Sequence, residues 1–481
     1  MTTLADESLG YQIQVQRPLV QRALRGLGDG SGAHELKSKF CKAVGLFMTN
    51  DPMALSGRSA YLGLQHALAS MGGIITAPLI IALGMGLNEA QTAYVIAAAL
   101  VVSGLATIVQ IVRVGPIGSG LLSIQGTSFA FVGTSIYVFH QLTETLAPEQ
   151  ALGTLFGSMI VCSVLMMGLA WFVRSMSGVI TTNVTGVTLM MIGLSLVWSS
   201  ASSLVEGYQA QALDALDLGL AGLVAAVIVV SMLVPMASIR SISVILGLGA
   251  GCVAAILMDR FTLPDSASSD LSFFTPEVLP FGFGIEPVMV LIMMPIFIVS
   301  ATESIGDLTA TNRLSGHRHG DENYWLRIRG GLMGDSLNSG LASVLGTFPN
   351  TTFSQNNGVI RATGASNPVI GIYAALVLIG LGLLPATVAW IQAIPETVVK
   401  GMTLILFSLV VFAGFSLVRS AAPRVYDYVG VVIAGVMGVA IAETISEWSF
   451  LPAVVISTFS FSVTNAALLM ILIDRALKRI R

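Results

Sequence analysis

Between about residue 60 and residue 473, apolar stretches long enough to cross a bilayer follow one another with little polar chain between them. Hydrocarbon satisfies no backbone group, so a chain crossing it must do so as helices or as a closed barrel. Continuous apolar runs, without a two-residue alternation, select helices. The segments fall at about 60–84, 90–110, 117–137, 151–173, 178–198, 217–235 and 240–258 in the first half. In the second half they fall at about 286–309, 329–347, 351–364, 368–386, 389–413, 427–445 and 450–473. The expectation is an all-α polytopic membrane protein with fourteen transmembrane segments. Composition agrees: 10% of residues are charged and the mean hydropathy is +0.84, whereas soluble domains carry about 25% charged residues.

The same numbers exclude several classes. No basic face is interleaved with aromatics, which argues against a nucleic-acid partner. Cys41, Cys162 and Cys252 are scattered and odd in number, so they form neither a disulfide framework nor a metal site. Residues 1–55 are polar and mixed, without the apolar core of a signal peptide, and are expected to form a cytoplasmic extension. With the N-terminus inside, 21 of the 23 Lys and Arg fall on the inner side, leaving Arg260 outside and Lys400 within a segment. That bias predicts cytoplasmic N- and C-termini in a multi-pass cell (plasma or inner) membrane protein.

Two segments do not suit a simple crossing helix. The third is interrupted by Gly115, Pro116, Gly118 and Gly120. The tenth runs Asn350-Thr-Thr-Phe353-Ser354-Gln355-Asn356-Asn357-Gly358, and Pro349 with the threonines disfavours an early helix start. Irregular backbone at membrane depth survives only where protein packs around it or where it lines a cavity. A half-helix starting near Gln355 would aim its free N–H groups at that cavity.

Internal similarity links the halves. Val184-Thr-Gly-Val-Thr-Leu in the fifth segment resembles Val399-Lys-Gly-Met-Thr-Leu in the twelfth. Gly126-Thr-Ser-Phe129 in the third resembles Asn350-Thr-Thr-Phe353 before the tenth. Both pairs are seven segments apart, and an odd number per repeat inverts one half relative to the other. The reading is therefore a 7+7 inverted repeat with the interrupted segments in corresponding positions.

Charged groups inside a bilayer are functional candidates by default. Glu303 and Asp307, four apart in the eighth segment, share one helical face. Gly334-Asp335 lies in the ninth, Gln65-His66 in the first, and Gln125 with Thr127 and Ser128 in the third. A buried carboxylic acid in low dielectric can exchange a proton near neutrality, which suits both proton carriage and a ligand for a ring N–H. Glu303 paired with Gln355 as a purely structural contact is the bland alternative. Asp307 can equally tie its helix to a neighbour, and Asp335 can serve structure by accepting backbone N–H groups of the half-helices. His66 reads more readily as a satisfied intramembrane histidine than as a ligand. Glu396 and Lys400 form an i,i+4 pair, and Phe129 is placed either in the core or to stack on a flat ligand.

Gln355-Asn356-x-Gly358-x4-Thr363-Gly364 resembles the signature of the nucleobase–ascorbate transporters, also called nucleobase–cation symporter-2. Leu62-Gly-Leu-Gln65-His66, Gly126-Thr-Ser-Phe129, Glu303-x3-Asp307 and Gly334-Asp335 resemble that family's first, third, eighth and ninth segments, over about residues 55–473. The resemblance implies a core domain (56–175 and 286–387; segments 1–4 and 8–11) and a gate domain (176–285 and 388–473; segments 5–7 and 12–14). Residues 474–481 would form a cytoplasmic tail. It implies short antiparallel strands leading into half-helices three and ten, with the base held between them. Glu303 and Gln355 would bind the purine, Phe129 would pack on its ring, and Ser128 and Ser354 lie beside them. Asp335 would serve coupling, and Asp307, His66, Asn356, Gln65 and Thr363 would support the site. In uracil carriers a Glu tends to stand at the Gln355 position, so Gln355 points to xanthine or uric acid. Two positions depart from the pattern: Arg361 brings a charge into the signature, and Ala365-Ser-Asn367 lacks a basic residue.

The function implied is purine import by cation symport, the cation being a proton, through alternating access of elevator type, with no cofactor and, as in some members, a homodimer. Uracil or another nucleobase is the alternative substrate. An anion carrier of the same architecture is a rival, and Glu303 at the site argues against it. An intramembrane enzyme would need a nucleophile with its base or a metal cluster, and neither spacing appears.

Overall fold

The structure, a computed structural model, describes residues 57–480 except 177–180, 237–238, 241, 262–272, 319, 321, 421–422 and 449. The extension expected over 1–55 lies outside the described residues. Among the described residues there are fourteen principal helices, four short ones and two short strands. In the first half these are α1 (Gly57–Met85), α2 (Glu89–Val112), β1 (Gln125–Thr127), α3 (Phe131–Thr143), α4 (Pro148–Ala170), α5 (Thr182–Gln209), α6 (Ala215–Leu233) and α7 (Ser243–Leu257). The second half has α8 (Pro287–Leu314), α9 (Glu322–Val344), β2 (Asn350–Thr352), α10 (Ser354–Thr363), α11 (Pro368–Leu383), α12 (Glu396–Ser420), α13 (Val425–Thr444) and α14 (Ser462–Ile480).

By length and composition, eight of the described helices can cross a membrane, or nine if α11 and the helix Pro385–Gln392, bent by 78°, count as one. The helices α3, α7, α9, α10 and α14 are not among those eight. The protein is an integral membrane protein whose outward faces are apolar, as on α13, where Val429, Val432, Val436 and Met437 are exposed.

Local chemistry sets the boundaries. Asn88 caps α2, accepting from Gln91 N at 2.9 Å while Gln91 reaches back to Asn88 N. Pro287 and Pro368 stand in the first turns of α8 and α11, where their missing N–H costs no hydrogen bond. Between α2 and β1 the chain cannot continue as a helix. Gly118 takes φ +93°, and a Cβ there would lie 2.5 Å from Val109 O. Only glycine fits that turn.

The third expected segment, 117–137, is resolved into an irregular loop, β1 and α3. The tenth, 351–364, is β2 followed by α10, a helix of 10 residues whose start at Ser354 matches the half-helix expected near Gln355. The strands pair antiparallel, Gln125 opposite Thr352, Gly126 opposite Thr351 and Thr127 opposite Asn350. Two expected helices begin or break elsewhere. The segment at 389–413 starts as α12 only at Glu396, after Pro395, and 450–473 divides into Ala453–Phe459 and α14.

Packing divides the helices into two groups. α1, α2, α3, α4, α8, α9, α10 and α11 gather around the strand pair, with α11 against α2 and α1, and α9 against α4. α5, α6, α7, α12, α13 and α14 pack mainly on one another, led by α5 against α12. That last pair is antiparallel and very close. A Cβ at Gly186 would meet Val418, and one at Gly193 would meet Val411.

Candidate functional site

The strand pair is the centre of the site, because each strand delivers the chain into a short helix. Ser128 N donates to Pro349 O (2.9 Å) and Phe353 N to Ile124 O (2.9 Å), extending the pairing just past each strand. α3 and α10 therefore start beside the strand pair, each with its positive dipole end there.

α8 lies alongside. Ser300, Glu303, Ser304, Asp307 and Thr311 are all buried and recur at three- and four-residue intervals. Ser128 Oγ donates to Glu303 Oε2 at 3.4 Å, and Ser300 Oγ donates to Ser128 Oγ at 3.3 Å. Ser304 Oγ and Thr351 Oγ1 are 2.9 Å apart, which holds α8 against β2. Glu303 makes no hydrogen bond to Gln355, so the purely structural pair is not formed. Gln355 stands in the first turn of α10, half-buried, near Gly73 of α1, and its side chain bonds to no described residue. Ser354 is half-buried beside it.

Of the two readings of Asp335, the structural one, acceptance from backbone N–H groups of the half-helices, is not what the carboxyl does. Gln110 Nε2 donates to its Oδ1 at 2.6 Å, and Thr352 Oγ1 lies 3.5 Å from its Oδ2. The reason is register: α9 packs against β2, whose backbone is paired with β1, and side chains supply the donors. Asp307 is tied in by its backbone carbonyl, which accepts from Asn357 Nδ2 (3.2 Å) and Thr311 Oγ1 (2.9 Å). Its carboxyl Oδ2 is buried without a partner. Asn356 Nδ2 donates to Leu122 O (2.7 Å), anchoring α10 to the chain entering β1. His66 is fully buried, its ring near Asn356 but without a hydrogen bond within 3.5 Å. Gln65 is buried one residue before it on α1.

Phe129 packs edge-on against Phe407 of α12, with centroids 4.6 Å apart. It also lies nearly parallel to Phe353, at 6.1 Å and 15°. It thus sits where the strand pair meets the second group of helices. Thr363 is eight residues past Gln355, roughly 12 Å along the helix. It closes the far end of α10, bonding Val359 O and accepting from Ala365 N. Gly364 takes φ +68° as the left-handed cap. The two departures from the signature have local explanations. Arg361 is exposed in the last turn of α10, where a cation complements the dipole, and Asn367 caps α11 by accepting from Val369 N.

Sequence reading missed Gln110, Thr107, Asn357 and Phe407. Gln110 stood at the last residue of its expected segment, where a polar side chain looks like a helix end. Its spacing of three from Thr107, which accepts from Gln125 N (2.9 Å), was the available signal of a polar face.

Two short helices that start beside one buried strand pair, a carboxyl-bearing helix alongside and an enclosing helical scaffold fit a membrane permease. The permease family model Xan_ur_permease matches residues 57–448. The chain is 36% identical over 366 residues to xanthine permease XanP of Escherichia coli (strain K12), covering 75% of this chain and 79% of that protein. It is 33% identical over 395 residues to the uric acid-xanthine permease of Emericella nidulans, covering 75% and 68%. The transmembrane domain of the cyanobacterial bicarbonate transporter BicA superposes with a TM-score of 0.56 at 13% identity, covering 85% of this chain and 98% of that one. That likeness is one of fold. The chain belongs to the nucleobase–ascorbate transporter family.

Proposed function

We propose that this permease imports a purine nucleobase, xanthine or uric acid, by cation symport, with the proton as the coupled ion. The observation carrying this reading is that unlike groups stand beside the two half-helix starts, Glu303 against Ser128 before α3 and Gln355 in the first turn of α10. Glu303 has one serine donor, Ser128, and Gln355 has an uncommitted carboxamide. An oxidised purine ring offers N–H donors next to carbonyl acceptors. Ionised Glu303 can only accept, while Gln355 can donate and accept together. Relatives named for xanthine and uric acid support the substrate class. Asp335 serves coupling; Ser128, Ser354 and Phe129 line the base; Asp307, His66, Asn356 and Gln65 support the site. Thr363 acts through the end of α10.

The finer architecture is fourteen segments in a 7+7 inverted repeat. The antiparallel pairing of Gly126 with Thr351 supports it, because the matched Gly126–Phe129 and Asn350–Phe353 stretches run in opposite directions there. The two packing groups support a core domain moving against a gate domain. Both termini are placed in the cytoplasm of a cell-membrane protein on the Lys and Arg distribution. A homodimer is proposed on family grounds, and light scattering of purified protein tests it.

The deciding experiment is uptake of labelled xanthine into proteoliposomes, with urate, uracil and bicarbonate as competitors. Competition by urate and by neither uracil nor bicarbonate is expected. Inhibition by bicarbonate with no xanthine uptake would replace the purine reading with an anion carrier.

A further inference from the structure

We infer that Gln110, on α2, is a positioning residue that holds Asp335 for ion coupling. The inference rests on the coupling role proposed for Asp335. Gln110 is fully buried in the last turn of α2. Its carboxamide is used completely: Nε2 donates to Asp335 Oδ1 at 2.6 Å and to Gly331 O at 2.9 Å, and Oε1 accepts from Ser119 N at 3.0 Å. These partners fix the orientation of the amide, because turning it over would set its oxygen against two oxygens and its NH2 against an N–H.

The neighbouring backbone is shaped around this contact. A Cβ at Gly334 would lie 2.7 Å from Gln110 Oε1, and one at Gly330 would lie 2.4 Å from Gly118 O. α9 thus approaches α2 and the 113–120 loop through glycine surfaces, and Asp335 follows directly after one of them. The loop is fastened to both, by Gly118 N to Gly330 O (2.7 Å) and Gly120 N to Gln110 O (3.0 Å). Asp335's other oxygen has a much longer contact, 3.5 Å to Thr352 Oγ1. Thr352 in turn accepts from Gln125 Nε2 at 3.0 Å. A chain of side chains therefore runs from α2 through Asp335 to β2 and back to β1, and its shortest link is Gln110. A brace between α2 and α9 would need only the Gly331 and Ser119 bonds. The third bond places a donor on the coupling carboxyl itself. Gln110 does not touch Glu303 or Gln355, so removing its amide should disturb coupling before binding.

The test compares Gln110→Met, which keeps length and loses the amide, with Gly334→Ala, which crowds the same amide from α9. Asp335→Asn is the control. Purified full-length protein is assayed for xanthine binding, for xanthine exchange without an ion gradient, and for gradient-driven accumulation in proteoliposomes. In both test variants, binding should stay within about threefold and exchange should persist. Accumulation should fall about tenfold or more, the scale of one lost buried hydrogen bond. The double variant Gln110→Met/Asp335→Asn should be no worse than Asp335→Asn alone, because a residue acting through Asp335 has nothing left to act on. Normal accumulation in Gln110→Met overturns the inference. Parallel loss of binding, exchange and accumulation in both test variants also overturns it, since that is the mark of a scaffold residue. If Asp335→Asn itself accumulates xanthine normally, the coupling role of Asp335 is what fails, a result separate from either outcome for Gln110.

Discussion

Glu303 and Gln355 stand on different elements and offer a ligand different chemistry. Glu303→Gln presents a donor where an acceptor is needed, so it should abolish xanthine uptake while surface labelling shows normal amounts of protein in the membrane. An active variant with unchanged affinity would remove Glu303 from the site. Gln355→Glu makes the second group acceptor-only when ionised and adds a negative charge to a site that already holds Glu303. One well-placed buried hydrogen bond is worth roughly 1–3 kcal/mol, so xanthine affinity should fall by about one to two decades. Competition by a purine and pyrimidine panel is the measurement, and an untouched inhibition profile would mean Gln355 does not face the base. Both residues were legible in the sequence because polar groups in apolar surroundings stand out. Phe407 was not, since an aromatic in an apolar helix looks like any core residue until Phe129 is seen 4.6 Å away. Asp335 was legible as a candidate, but its partner was not. Gln110 is 225 positions away in the chain, and no local pattern announces a contact at that separation.

At the scale of elements, apolar runs of spanning length located most helices, and errors gathered where side chains replace the helical ladder. At the break before α14, Asn465 Nδ2 in the first turn of α14 donates back to Phe459 O at 2.7 Å, and Ser460 Oγ donates to Ile456 O at 2.8 Å. A break satisfied in this way costs little apolarity, so 450–473 reads as one segment. Asp214 caps α6 by accepting from Leu216 N (2.9 Å) and Asp217 N (3.0 Å), and it also pairs with Arg260 beyond α7. The Asp217 backbone N–H, and then Arg260, hold the Asp214 carboxyl below its ordinary pKa. A carboxyl depressed in the folded state contributes stability above its unfolded value, about 3.9, and loses it as pH falls through the lower folded value. Asp214→Ala should therefore lower the melting temperature of the purified protein at pH 7. The gap to the unsubstituted protein should close as the pH is taken below about 3.9. A gap independent of pH would assign the effect to something other than the carboxylate.

For the whole molecule, contacts between the two groups of helices must break and re-form if one moves against the other, as where α8 packs on α5 and α1 on α7. Tyr137 of α3 bridges to the short helix before α14: its Oη and Ser457 Oγ are 2.9 Å apart, and its ring meets Phe461 edge-on at 5.5 Å. A hydrogen bond of this kind is worth about 0.5–1.5 kcal/mol net. If it is present in one conformation and absent in the other, removing it shifts their ratio by up to about tenfold. Tyr137→Phe keeps the ring contact and loses the hydroxyl. Hydrogen–deuterium exchange over residues 453–461 should then rise, and Ser457→Ala should reproduce the rise. The double variant should go no further, because both substitutions remove the same bond. Additive effects in the double variant would show that the two hydroxyls act separately, and unchanged exchange in all three would place the moving boundary elsewhere. The proposed proton coupling belongs to the same scale, since in a symporter's cycle ion and substrate cross together. Xanthine accumulation by the unsubstituted protein should fall as external pH rises and collapse with a protonophore. Accumulation that instead follows external sodium at fixed pH would reassign the ion and leave the helical frame as it stands.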